Sequence, residues 1–149
     1  MKPYEKLQKF WQLSDAQVAE SGASETEIEG LEQKYSIRLP SDFRDYLRHS
    51  CPKDEEAGYD DATSWWHLSR IRNIPEEYEH AITDPIIARD SAKYLFFADY
   101  AIWCWAWAIC CDNGENRGRV AVISGRDRLV ADSFTEFAVS YVTDQKRLA

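Results

Sequence analysis

The sequence predicts an α+β fold: an antiparallel sheet of about five strands with helices packed on one face, N-terminal helices and a closing C-terminal helix. Apolar residues recur at helical spacing in residues 4–47 and again after residue 133, which places helices at both ends. Between them, short apolar and aromatic runs alternate with turn residues, as in an antiparallel meander. With 149 residues and 44% hydrophobic content, we expect a single domain over residues 1–149.

The N-terminal segment is predicted to be helical. Tyr4, Leu7 and Trp11 are spaced three and four residues apart, which puts their side chains on one side of a helix. Ser14 followed by Gln17 indicates a further short turn. A small helical layer should therefore come first.

A capping signal opens the next helix. Ser24 is followed three residues later by Glu27, the spacing of a capping box in which each side chain satisfies a free backbone N–H. Ile28, Leu31 and Tyr35 continue as an apolar stripe. The stripe should face the core.

A Leu-Pro step separates this helix from another. The residue before a proline is pushed out of the helical region, so Leu39 should end what precedes it and Pro40 suits the first turn of a new helix. Phe43, Tyr46 and Leu47 then form the buried face of that helix.

Residues 51–61 are predicted to be a solvated loop, because five acidic residues face one lysine there. Residues 65–70 are predicted as a first strand, and residues 74–78 as a helix start with acids in its first turn. Residues 94–98 and 102–111 are dense in aromatic and apolar side chains and should form the central strands.

The last third of the chain continues the meander and closes it. Residues 119–124 and 129–131 are predicted strands joined by a Gly-containing turn. Ser133 and Glu136 repeat the capping spacing, which predicts a last helix. Its apolar stripe consists of Phe134, Phe137, Ala138 and Tyr141.

The net charge of the chain limits the classes of molecule that it is expected to bind. The formal net charge is −8 and the isoelectric point is near 4.9. General binding to nucleic acid or to an anionic membrane needs lysine and arginine to neutralise phosphates, so neither is expected. A basic partner suits this chain better.

The sequence gives no sign of export or of a membrane anchor. Residues 1–10 lack the apolar core of a signal peptide, and the longest apolar run, residues 100–111, is shorter than the roughly 20 residues that span a bilayer. We expect a cytoplasmic protein with reduced thiols.

Catalytic and metal-binding patterns are weak. Cys104 and Cys110 would lie about 20 Å apart on an extended strand, too far to ligate one metal. His49 and Cys51 are near neighbours, so a thiolate pair stays open as a minor alternative to inert thiols. No phosphate-binding loop or nucleophile elbow is present. We therefore expect no enzyme activity, no cofactor and no metal.

Three tryptophans alternate with small residues on the predicted second central strand. Trp103, Trp105 and Trp107 would line one face with large rings. They either fill the core under the helices or stand partly on an open sheet face, where tryptophan often anchors a partner. The sequence supports both readings.

Three segments carry a resemblance to a known family. They are the helix, Leu-Pro step and acidic aromatic helix of residues 32–47, the strand pair of residues 95–109 and the closing Ser-Phe-x-x-Phe helix of residues 130–137. In this order they make the chain similar to the SUKH superfamily, in particular its Smi/Knr-like branch, over nearly its whole length.

The resemblance implies an immunity protein of a polymorphic toxin system, which binds and neutralises a cognate bacterial toxin by steric and electrostatic blocking. A nuclease or other basic toxin domain would be the expected partner. The alternative implied by the resemblance is a regulatory protein-interaction scaffold without a toxin partner.

An inhibitor of a basic toxin needs acidic residues for encounter and aromatic residues for slow release. Two stretches of the sequence combine them: the acidic loop with the tryptophans that follow it, and the acids around Tyr78. The predicted partner-binding residues are Asp54, Glu55, Glu56, Asp60, Asp61, Trp65, Trp66, Glu76, Glu77 and Glu79.

Overall fold

The computed structural model describes residues 1–14, 16–18 and 22–149. Helix α1 spans Pro3–Leu13 and buries Leu7 and Trp11, as their spacing predicts. The turn predicted from Ser14 to Gln17 lies in part outside the described residues, at position 15. Gln17–Val18 forms a short strand, β1.

Helices α2 and α3 follow the predicted plan. Helix α2, Glu25–Tyr35, begins with the reciprocal capping box of Ser24 and Glu27 and buries Ile28 and Leu31. Helix α3, Ser41–Ser50, has Pro40 as its N-cap, one residue outside the first turn where the sequence placed it. Its buried face carries the predicted Phe43, Tyr46 and Leu47.

The described residues form one seven-stranded antiparallel sheet whose strands are neighbours in chain order. After β1 come β2 (Gly58–Asp60), β3 (Thr63–Trp65), β4 (Tyr94–Tyr100), β5 (Trp105–Cys110), β6 (Val120–Ile123) and β7 (Arg128–Ala131). This sheet and the six helices of the described residues confirm the α+β class, although the predicted count of about five strands was too low.

Helices cover one face of the sheet. Phe97 on β4 packs against Phe43 of α3, and Trp107 on β5 packs against Phe137 of the last helix, α6. Helix α6, Phe134–Thr143, is capped by Ser133 and buries the predicted stripe. Helix α1 packs against both α3 and α6. The aromatic residues of three helices therefore share one core with the sheet.

The opposite face of the central strands is covered by the segment between β3 and β4. Phe96 pairs with Ala108 while Trp107 pairs with Ala98, so Phe96 points away from the α6 side. Its ring contacts Trp66 and Trp103. Two short helices lie in this segment, α4 (Ile74–Glu77) and α5 (Pro85–Arg89).

Several predicted strand boundaries were wrong, including the end of β4, which runs to Tyr100 and not to residue 98. The first strand ends at Trp65, and Leu68–Arg70 is a 3-10 turn. The backbone N–H of Trp66 still donates to the Phe97 carbonyl on β4, but the chain turns away from the sheet after this bond. The predicted acidic loop contributes β2. The second central strand begins at Trp105 rather than at residue 102. Within the described residues, no helix is both long enough and apolar enough to cross a membrane.

Candidate partner-binding surface

The acidic stretch that the sequence singled out forms the approach to the β2–β3 hairpin. Asp54, Glu55 and Glu56 are exposed, and the Asp54 carboxylate accepts the Ala57 N–H at 2.9 Å, which closes the turn before β2. The loop is therefore ordered by its own first acid. The carboxylates of Glu55 and Glu56 remain at the surface.

The two aspartates of the hairpin have different environments. Asp60 is buried, with 6% exposure, and its carboxylate accepts the Tyr141 hydroxyl at 2.6 Å. Burial raises the pKa of Asp60, and the nearby charge of Asp61 adds to this effect. Asp61 is exposed at the turn, with a positive φ of 53° that aspartate tolerates better than most residues. Only Asp61 of this pair faces solvent.

Trp65 and Trp66 lie in the core, each with 1% exposure. Trp65 packs against Trp11, Tyr46 and Tyr141 on the helical side of the sheet. Trp66 packs against Phe96 on the other side. Neither ring has surface for a direct partner contact, because β3 belongs to the interior of the sheet and is not an extension of the acidic loop.

The three glutamates of the second acidic stretch also differ in their surroundings. The Glu77 carboxylate accepts the indole N–H of Trp103 at 3.1 Å. Glu76 lies 3.7 Å from the Lys34 ammonium, so it is directed towards α2. Glu79 is exposed after the helix. Glu77 is thus the residue that links this stretch to the loop between β4 and β5.

The β4–β5 loop has a backbone conformation that the sequence did not predict. Ala101, Ile102 and Trp103 all have positive φ, of 50°, 53° and 62°. Positive φ is disfavoured for residues with a Cβ and most strongly for a β-branched residue such as isoleucine. Ile102 at the tip is 99% exposed. The chain contains no glycine or asparagine here that would have indicated such a turn.

Asp99 holds this loop in place. One carboxylate oxygen accepts the backbone N–H of Trp103 at 3.1 Å, and the other accepts the indole N–H of Trp66 at 2.7 Å. The Ala101 N–H also donates to the Ala62 carbonyl at 2.8 Å, which ties the loop to the β2–β3 hairpin. The two loops are therefore fixed relative to each other.

Arg70 completes a network of charges behind the loop. Its guanidinium lies 3.9 Å from the centre of the Trp66 ring. Its nitrogens are 3.9 Å from carboxylate oxygens of both Asp99 and Glu77. A stacked guanidinium between two carboxylates balances charge that would otherwise be costly to bury. It also positions the two carboxylates that hold Trp103.

A cleft of about 500 Å³ lies between the β2–β3 hairpin and the β4–β5 loop. We call it the acidic cleft. Its charged lining consists of the carboxylates of Glu55, Asp61 and Asp99 and the guanidinium of Arg70, a formal charge of −2. The remaining lining residues are Tyr59, Ala62, Ser64, Ala101, Ile102 and Trp103. Tyr59 is 44% exposed, so two apolar side chains, those of Tyr59 and Ile102, stand at a negatively charged opening.

The three tryptophans of residues 103–107 do not share a face. Trp103 belongs to the loop, stacks on Tyr78 and contacts Phe96, on the side away from α6. Trp105 stacks on Tyr100 at 4.5 Å. Trp107 is buried and its indole N–H donates to the Leu148 carbonyl. Core packing therefore accounts for Trp107, whereas Trp103 lines the acidic cleft.

The possible thiolate pair is not assembled. The imidazole of His49 stacks on Tyr4 at 4.2 Å at the surface. The Cys51 thiol is buried and directed towards the Trp66 carbonyl, at 3.7 Å. Burial raises the pKa of Cys51 to about 12, so the thiol stays protonated near neutral pH. These two side chains do not form a nucleophile and its base.

The other cysteines are dispersed. Cys104 is exposed in the β4–β5 loop and does not lie on the strand that carries Cys110, although the sequence placed both on one strand. Burial raises the pKa of Cys111, and also that of Cys110. Among the residues that the structure describes, no group of three or more histidine, cysteine, aspartate or glutamate side chains is arranged to hold a metal ion.

Comparison with known proteins places the chain in a family. The model of the SMI1 / KNR4 family (SUKH-1) matches residues 22–140, a range that includes the segments 32–47, 95–109 and 130–137. No significant match to a curated protein was found. Because the family model covers well over half of its length, the chain belongs to the SMI1 / KNR4 family (SUKH-1).

Proposed function

We propose that this protein is an immunity protein that binds a cognate bacterial toxin and blocks it sterically and electrostatically. Family membership supports an immunity-like role. We choose the acidic cleft as the binding surface because carboxylates and exposed apolar side chains meet there on two ordered loops. We also propose that residues 1–149 act as one domain, since α1 packs on α3 and α6 although the family match begins at residue 22.

Charge supports a basic toxin domain, such as a nuclease, as the partner. Enzymes that act on nucleic acid present basic surfaces to phosphates, and a protein of net charge −8 is attracted to such a surface. Opposite charge raises the association rate, and buried apolar anchors lower the dissociation rate. The acidic cleft and its rim contain both kinds of group.

The proposed contact residues differ in role. Those that present a charge to the partner are the exposed acids Asp54, Glu55, Glu56, Asp61 and Glu79. Asp60, Trp65 and Trp66 support the surface from inside. Glu77 supports it through Trp103. We leave Glu76 out of the contact set because it faces Lys34.

Co-expression with the protein encoded immediately upstream tests this function. The wild-type chain should restore growth of cells that express that toxin and should co-purify with it. The double reversal Glu55→Lys/Glu56→Lys should abolish protection. Glu29→Lys/Glu115→Lys is the matched control, because it changes the net charge equally at two exposed acids that do not line the cleft.

Each outcome has a definite meaning. If the wild-type chain neither protects nor binds, and its deletion alters growth in the absence of any toxin, the immunity function is wrong and a regulatory scaffold is favoured. If both double reversals protect equally well, the function stands but the acidic loop is not its contact surface.

A further inference from the structure

Ile102 is the most exposed large apolar side chain among the described residues, and it takes no part in the hydrophobic core. Its side chain is 99% exposed, so it gains no stabilisation from burial. Its φ of 53° is a backbone conformation that is unfavourable for isoleucine. Strained residues persist only where their surroundings hold them, and they concentrate at functional sites. The position of Ile102 therefore calls for a reason outside the isolated chain.

The loop beneath Ile102 is rigidly held. Its flanking N–H groups donate to fixed acceptors: Ala101 to the Ala62 carbonyl, Trp103 to the Asp99 carboxylate and Cys104 to the Tyr100 carbonyl. The Trp103 ring is clamped between its Glu77 hydrogen bond and its Tyr78 stack. An anchor that is already ordered loses little conformational freedom on binding.

The acidic cleft beside Ile102 contains carboxylates that have no cationic partner among the described residues. Asp99 and Arg70 face each other within the network behind the loop. Glu55 and Asp61, in contrast, form no ion pair within residues 1–14, 16–18 and 22–149. Tyr59 and Trp103 add aromatic faces to the same lining. Carboxylates with adjacent aromatic faces suit a guanidinium or an ammonium group.

We propose that the β4–β5 loop and the acidic cleft form one two-part docking site, in which Ile102 inserts into an apolar pocket of a basic protein partner. An arginine or lysine side chain of that partner enters the cleft between Glu55 and Asp61. This inference rests on the proposed function, since the partner is the toxin. Nucleic acid or an anionic membrane would be repelled by the same carboxylates.

The first test measures affinity for the catalytically inactivated toxin domain encoded next to this chain. Ile102→Asn removes the apolar anchor and introduces a residue that tolerates the positive φ of this position. It should raise Kd by about thirtyfold, as for a binding hot spot. Ile86→Asn is the matched control, because Ile86 is 45% exposed on α5 and does not line the cleft. It should leave Kd unchanged.

The second test addresses the cleft. Glu55→Gln/Asp61→Asn should slow association and flatten the dependence of Kd on salt concentration, since screening then acts on fewer charges. Benzoylphenylalanine placed at Ile102 should cross-link, on irradiation, to a segment of the toxin that is rich in apolar residues. The same group placed at Ile86 should not cross-link.

The outcomes separate this inference from the immunity function. A toxin complex whose Kd is unchanged by Ile102→Asn and whose salt dependence is unchanged by Glu55→Gln/Asp61→Asn would overturn the docking site and leave the function intact. If the wild-type chain forms no complex with the toxin, the function itself fails and the docking site with it.

Discussion

Replacing Ile102 by asparagine should stabilise the folded protein, although we expect it to weaken binding to the partner. Ile102 lies at the tip of the β4–β5 loop with a φ of 53°, where a β-branched side chain crowds its own backbone. Asparagine visits this left-handed region far more readily. The substitution removes strain from the folded state and keeps a residue with a Cβ, so it avoids the extra unfolded-state entropy of glycine.

The size of the effect follows from two terms. A residue with a Cβ in the left-handed region costs about 1–2 kcal/mol, most of which asparagine avoids, so we expect a gain of about 1 kcal/mol in the free energy of unfolding. The opposing term is the apolar burial that is lost. At 99% exposure, this term is below about 0.1 kcal/mol. Strain should therefore decide the sign.

Urea unfolding followed by tryptophan fluorescence measures this gain, since buried Trp65 and Trp66 report on loss of the core. A gain of about 1 kcal/mol corresponds to a midpoint shift of about 0.5 M urea. Ile102→Val is the control, because valine is also β-branched and should leave the midpoint unchanged. If Ile102→Asn lowers the stability by as much as it was expected to raise it, Ile102 packs against the protein and the strain argument is wrong.

Three further results are expected. Asp99→Ala should destabilise the fold by about 3 kcal/mol in urea unfolding, because it leaves the buried Trp66 indole N–H and the Trp103 backbone N–H without their acceptor and removes one of the two carboxylates beside Arg70; a loss below about 1 kcal/mol would contradict this. A thiol reagent added to the native protein should label Cys104 alone, and rapid labelling of any of the three buried cysteines would contradict their burial. Burial raises the pKa of Asp60 above its unfolded-state value, so its contribution favours folding below about pH 4 and is lost as the pH rises through the folded pKa. Asp60→Asn, which can still accept the Tyr141 hydroxyl, should therefore gain stability relative to the wild type between pH 4 and pH 7 as measured by urea unfolding; a difference that is constant or shrinks with pH would refute this.

Helices were predictable from the sequence because their determinants are local. The Ser24–Glu27 capping box and the α6 stripe depend on spacings of three and four residues, which any helix at those positions brings together. The Leu39–Pro40 step likewise marks a boundary through the geometry of one peptide unit. The starts of these helices differ from the predicted positions by about one residue at most, as is usual at helix ends, whereas α2 already ends at Tyr35, before the Leu39 boundary.

Short strands and tight loops were not predictable in the same way. Strand β2 lies in a stretch rich in acids, and it is a strand because β1 and β3 provide hydrogen-bonding partners on both sides. Residues 102–104 were predicted as strand from their composition, but together with Ala101 they reverse the chain between β4 and β5. Pairing partners and chain reversal depend on residues that are distant in sequence.

The sequence alone determined the α+β class, the helical layers, the acidic character of the chain and its likeness to a SUKH protein, because all of these follow from composition and local spacing. The tertiary structure decided which side chains can meet a partner. It buries Trp65, Trp66 and Asp60, brings Glu55 and Asp61 beside the β4–β5 loop and leaves Ile102 in solvent. The physical reason is that exposure and juxtaposition are set by strand register and by contacts such as Asp99 to Trp66 and Trp103, which join parts of the chain far apart in sequence.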